Sequence, residues 1–139
     1  MDCLDETRSP RNVWRSIRAL LGGFVIVVVL SMGTDAALHA TRVFPPWGER
    51  MSDALFLLAT VYRTVYPVVG SYVTARLAPY KPMPHALVGG TIGLVLSTAG
   101  AVATWNRPEL GPHWYPLALV ATALPTAWLG GWLESVRSR

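Results

Sequence analysis

Residues 19–50 read ALLGGFVIVVVLSMGTDAALHATRVFPPWGER. The opening twelve residues, 19–30, carry no polar side chain, yet Asp35, His39 and Arg42 follow before the chain turns at Pro45-Pro46-Trp47-Gly48. A helix rising 1.5 Å per residue needs about 20 apolar residues to cross a hydrocarbon core about 30 Å thick, and residues 18–41 are long enough. Three further stretches meet the same length, at 53–77, 85–106 and 114–133. The breaks between them, RVFPPWGER, APYKPMPH and NRPELGPHW, are rich in Pro or Gly and short enough to force neighbouring helices antiparallel. The predicted fold is therefore an all-α integral membrane protein, its four transmembrane helices arranged as two antiparallel hairpins. A basic tail at 1–17 precedes the first hairpin at 18–77; a loop at 78–84, the second hairpin at 85–133 and a tail at 134–139 follow.

Composition agrees. Of the 139 residues 52% are hydrophobic and only 14% charged, against about 25% charged in soluble domains. Lys and Arg in excess mark cytoplasmic loops. Arg8, Arg11, Arg15, Arg18, Arg76, Lys81, Arg137 and Arg139 fall on one side, Arg42, Arg50 and Arg107 on the other, and Arg63 inside a helix. That distribution predicts both termini in the cytoplasm. Trp47, Trp105 and Trp114 then lie at the outer interface, and Trp14, Tyr80 and Trp132 at the inner one, as aromatic belts do. The pI of about 9.7 follows from this topology and calls for no nucleic acid; the expected partner is the lipid bilayer. The single cysteine, Cys3, has no intramolecular disulfide partner and no acylation motif around it.

Four Arg residues before a hydrophobic run also describe a cleavable signal peptide, with Thr34 and Ala36 as small residues near a cleavage site. An internal repeat argues against that. At an offset of 67 residues, ALLGGFVIVVVLSMG from Ala19 lies over ALVGGTIGLVLSTAG from Ala86, matching Gly22 with Gly89, Gly23 with Gly90 and Gly33 with Gly100. Pro45 and Trp47 meet Pro112 and Trp114 at the same offset, and at an offset of 60 VGSYV from Val69 lies over LGGWL from Leu129, pairing Gly70 with Gly130. A signal peptide has no reason to resemble a later helix. The two hairpins are read as parallel repeats about an axis along the membrane normal.

Helices in lipid associate through small residues spaced about four apart. Gly89, Gly93, Ser97 and Ala101 form such a stripe on the third helix, Gly70, Thr74 and Ala78 on the second, Gly33, Ala37 and Thr41 on the first. These stripes are expected to close an intramolecular bundle; mating with a second copy or a larger membrane complex is the other use open to them.

Ser31, Asp35, His39 and Arg42 share one face of the first helix, and Ala59, Arg63, Pro67, Gly70 and Thr74 one face of the second, with Tyr66 at its edge. A charge within hydrocarbon costs about 2.5 to 3.5 kcal/mol on insertion scales and normally turns to a partner in the bundle. From helical rise, Asp35 sits roughly 10 Å and Arg63 roughly 18 Å below the outer boundary, a gap an Arg side chain spans by reaching outward. In the second hairpin the matching positions are Val102 and Ala123, so both charges are missing together, as pairing predicts. Pro67 leaves the carbonyl of Arg63 without its helical donor. Two uses of these residues compete: a structural Asp35–Arg63 ion pair with His39 hydrogen-bonded near the outer interface, and a proton site in which Asp35 or His39 exchanges protons beside Arg63. The first is preferred. His39 and Asp35, lacking a third ligand, do not make a metal site. His85 reads as an anchor at the inner interface, and His113 and Glu109 as solvated loop residues. No nucleophile elbow, phosphate loop, haem motif or zinc signature is present, so no enzyme, cofactor or metal is expected.

The segments YRTVYPVVGSYVTARLAP, MPHALVGGTIGLVLS and GPHWYPLALVATALPTAWLGG resemble a family of small, uncharacterised four-helix bacterial inner-membrane proteins. The resemblance covers helices two to four. It implies a four-helix fold and a bacterial inner membrane, and carries over no functional residue. Despite similar size and an acidic residue in the first helix, the small multidrug transporters are not matched closely. The expected role is that of a structural or accessory component; the alternative is a small oligomeric transporter or proton-linked permease using Asp35 and Arg63.

Overall fold

The computed structural model describes residues 10–139, residues 10 and 11 by backbone alone. Cys3 and Arg8 lie outside the described residues. The chain forms four helices, α1 Pro10–Ala40, α2 Asp53–Leu77, α3 Pro82–Thr104 and α4 Trp114–Arg137, with one 3-10 turn at Pro108–Leu110; the described residues contain no strand. Each of the four helices is long and apolar enough to cross a membrane.

Three helix ends differ from the expected boundaries by three residues or more. α1 begins at Pro10, eight residues before Arg18, because the basic segment continues the same helix. α3 begins at Pro82 rather than His85: Pro82 and Pro84 stand in a first turn, where the backbone N–H has no helical acceptor to lose. Lys81, at φ +40°, reverses the chain just ahead of it. α4 runs on to Arg137, taking up residues assigned to the tail.

α4 is the hub, packing along both α2 and α3. α1 lies on α2 and touches α3 only sparsely. The buried residues are mostly small: Ala19, Ala59, Ala75, Ala86, Ala101 and Ala127 form the core with Phe44, Phe56 and Tyr62. Large apolar side chains point outward, Met32 67% and Val102 73% exposed. A water-soluble bundle buries its large side chains; lipid-facing helices approach closely through small ones.

The tightest approaches are at glycines. A Cβ on Gly23 would stand 2.5 Å from the Gly70 carbonyl oxygen and 1.9 Å from Thr74 Oγ1, so α1 and α2 meet backbone to backbone. A Cβ on Gly90 would fall 2.3 Å from the Ala127 Cβ, joining α3 to α4, and one on Gly130 would fall 2.5 Å from the Val68 carbonyl oxygen, joining α4 to α2. Gly131, which carried no expectation, is also close, a Cβ there falling 2.9 Å from Ala86 Cβ and from Met83 Sδ. Gly22 and Gly89 make looser contacts with Leu77 and Leu20.

Gly33, Gly93 and Gly100 correct the sequence reading. No atom lies within 4 Å of a Cβ built on any of them, so they mediate no packing within this chain. Of the expected α3 stripe Ala101 is buried, together with His85, Ala86 and Gly90, whereas Gly93 and Ser97 border a cleft instead of a helix. α3 is apolar on every side, and a helix without a polar stripe gives the sequence no phase.

Candidate functional site

Near its C-terminal end α1 presents Thr34, Asp35 and His39, and across the seam α2 presents Tyr62, Arg63 and Tyr66. Both oxygens of the Asp35 carboxylate are taken by α2: the Tyr62 hydroxyl donates to Oδ1 and Arg63 Nη2 donates to Oδ2. One turn lower on α2, the hydroxyls of Thr34 and Tyr66 share a hydrogen bond of 2.6 Å. The expected ion pair therefore forms, and among the described residues it is the single one. Helical spacing explains the arrangement. Tyr62 and Tyr66 are one turn apart and reach the adjacent α1 residues Asp35 and Thr34.

His39 does not join the carboxylate. Its Nδ1–H donates to the main-chain carbonyl of Asp35 at 2.8 Å, which places a proton on Nδ1 because a carbonyl oxygen only accepts. The ring lies flat on Trp47, centroids 3.8 Å apart and planes 5° from parallel, and meets the edge of Phe44 at 5.4 Å. The turn beyond α1 makes this possible. Arg42, at φ +60°, reverses the chain, and the Phe44 N–H donates to the Leu38 carbonyl at 3.0 Å. Phe44 is thereby folded back and buried against Ala59 and Tyr62, ringed by Leu38, Met51, Leu55, Tyr66 and Tyr115. The ion pair thus has an aromatic roof on the side of the first loop. Tyr115, from α4, also stands within electrostatic reach of Arg63.

Away from that roof, a cleft of about 500 Å³ opens where α1 and α3 stand apart. All four helices line it, mostly with apolar groups. Ser31, Arg63, Pro67, Gly70, Gly93 and Ser97 are among its lining residues. Of the clasp, Arg63 alone lines the cleft; Asp35 and Tyr62 do not. The Arg63 side chain is 34% exposed and that of Asp35 17%.

The remaining candidates are dispersed. Arg42 is exposed at the turn. His85, read as an anchor at the inner interface, is buried, donates from Nδ1 to the Lys81 carbonyl at 3.0 Å and bonds Ser16 Oγ through Nε2 at 2.9 Å, tying α3 to α1. Ser16 gives its own proton to the Asn12 carbonyl, so all three bonds are made together when His85 carries a proton on each nitrogen. Glu109 is exposed, as expected, while His113 bonds the Trp105 carbonyl through Nε2 at 2.8 Å and stacks on its indole at 4.2 Å. Trp14, Trp47, Trp105, Trp114 and Trp132 are all exposed near the helix ends.

No family model, curated protein or solved structure matches this chain.

Sequence reading missed Tyr62, Thr34, Phe44 and Tyr115. Tyr62 was discoverable. It precedes Arg63 by one residue and stands one turn from Tyr66, which the polar stripe had already placed at its edge. Phe44 carried no such signal, since its burial depends on the reversal at Arg42.

Proposed function

We propose that this chain is a multi-pass protein of the bacterial inner membrane, with both termini cytoplasmic, acting without catalytic chemistry as a structural or accessory component. The observation that carries the reading is that both carboxylate oxygens of Asp35 are engaged by α2. A carboxylate that ferries protons must open to a path, whereas this one has both oxygens occupied, an aromatic roof above, and no share in the lining of the cleft. It serves as a clasp holding α1 on α2.

Small residues inside and large apolar ones outside support the membrane setting. Orientation rests on charge: Arg15, Arg18, Arg76, Lys81, Arg137 and Arg139 gather at one end of the bundle, Arg42, Arg50 and Arg107 at the other. The internal repeat gains support from the matched pair Gly23 and Gly90, each the tightest of its helix's glycines against the next helix. The partners are the bilayer together with further copies or a larger membrane complex.

Purified protein with Asp35→Asn or Arg63→Gln is expected to lose stability in detergent, and the double variant to regain most of it. Additive losses would refute the clasp. The cleft supports a second reading, a small oligomeric transporter or proton-linked permease, because its volume is that of a ligand pocket and Arg63 stands on its wall. In that case Asp35→Asn alone abolishes flux in vesicles while the protein still inserts and assembles. Pull-down from native membranes followed by mass spectrometry separates the accessory role from a self-contained oligomer.

A further inference from the structure

At the basic end, α2 and α4 bring two guanidinium groups to one oxygen. Gly130 lets α4 press against Val68, Ser71 and Tyr72, and the last turns of both helices run on side by side. Arg137 Nη1 donates to the Tyr72 hydroxyl oxygen at 2.5 Å, and Arg76 Nη1 approaches the same oxygen at 3.4 Å. A phenol oxygen has two lone pairs and one proton. With both lone pairs engaged, the Tyr72 O–H remains as a donor.

Among the described residues neither guanidinium has a carboxylate partner. The acid closest in sequence, Glu134, is one turn before Arg137 on α4, yet it pairs with neither Arg76 nor Arg137, and its Oε2 is buried without a hydrogen bond. Among the described residues of this end, Arg15, Arg18, Lys81 and Arg139 add further positive charge and Glu134 is the only acid. Arginine at a helix C-terminus complements the helix dipole, which accounts for Arg76 and Arg137 separately. It does not account for two like charges meeting at one neutral oxygen. Both residues are exposed, and none of the three lines the cleft of the clasp.

We infer that Arg76, Arg137 and Tyr72 form a binding site for an anionic phosphate group. Arginine forks match phosphate oxygens in geometry as well as charge, and basic sites between helices on the cytoplasmic side take lipid head groups. The same chemistry fits the phosphodiester of an acidic phospholipid or a free phosphate. The inference rests on the proposed membrane orientation for the lipid source alone.

The test uses the full chain in detergent micelles, with thermal unfolding followed as phosphatidylglycerol, phosphatidylcholine or inorganic phosphate is added. Phosphatidylglycerol is expected to raise the unfolding temperature at concentrations at least tenfold below those of phosphatidylcholine. Arg76→Gln and Arg137→Gln should each remove most of that difference, Tyr72→Phe part of it, and Arg15→Gln, at the same end but outside the site, none. Arg137→Lys keeps the charge without the fork and should bind at an intermediate level, which controls for variants that fold poorly. Stabilisation by inorganic phosphate alone, lost in the same variants, keeps the site and assigns it to a soluble ligand. Equal response to both lipids, or equal loss from Arg15→Gln and Arg137→Gln, overturns the inference. Failure of the membrane reading shows separately, as protein that stays in solution when cells are fractionated without detergent.

Discussion

The two hairpins solve one packing problem by different means. In both, the first helix approaches the second at the later glycine of a Gly-Gly pair, Gly23 in α1 and Gly90 in α3. Beyond that contact they part. α1 is fastened to α2 by Asp35, Tyr62 and Arg63 under an aromatic roof, whereas at Val102 and Ala123 the second hairpin has no polar group, and α3 meets α4 through apolar contacts at Gly90 and Gly131. The neighbours explain the difference. α3 has α4 along its length and α2 besides, while α1 has α2 and little else, standing away from α3 across the cleft. A helix with one packed neighbour needs a directional bond to fix its rotation, which close contact between smooth faces does not supply.

Removing the clasp should therefore damage the first hairpin most. Asp35→Asn or Arg63→Gln leaves one charge uncompensated, at a cost of about 3 kcal/mol, the low end for a buried pair because Arg63 is partly exposed. The double variant should recover most of this in a reversible unfolding titration. Tyr62→Phe removes one hydrogen bond to a charged group and should cost about 1.5 to 3 kcal/mol with Arg63 still in place, read from the same titration. Alanine at the matched glycines compares the hairpins directly. Gly23→Ala drives a methyl into the Gly70 backbone and Gly90→Ala into a neighbouring methyl, and each overpacking should cost about 1 to 3 kcal/mol, more at Gly23 where backbone must yield. Smallest of all, Gly33→Ala and Gly100→Ala meet open space and should leave the unfolding midpoint unchanged or raise it, since alanine is the better helix former by about 1 kcal/mol. A large loss at Gly33 or Gly100 would show that a second molecule covers those faces.

Much of this was legible beforehand. Hydropathy over about 20 residues locates all four helices because a membrane-length apolar run has few other readings. The Asp35–Arg63 pair was legible from helical phase and from the joint absence of both charges in the repeat. What remained hidden depended on rotation about an axis or on a single backbone reversal. The stripe of Gly89, Gly93, Ser97 and Ala101 has the right spacing for packing, but α3 is apolar all round, and it buries Ala101 and Gly90 while Gly93 meets no neighbour. Phe44 reaches the clasp only because Arg42 adopts a left-handed conformation, which its residue type does not announce. His85 read as an anchor at the inner interface; its burial and its bond to Ser16 depend on the helix that Pro82 and Pro84 begin.

The clasp also has a consequence for how the protein is made. Its two charges are 28 residues apart in the chain, so Asp35 leaves the ribosome a few seconds before Arg63 at synthesis rates of about 5 to 20 residues per second. During that interval α1 carries an unpaired acid that hydrocarbon disfavours. In the membrane setting proposed above, entry of α1 and α2 together, with Asp35 and Arg63 already paired, removes that penalty.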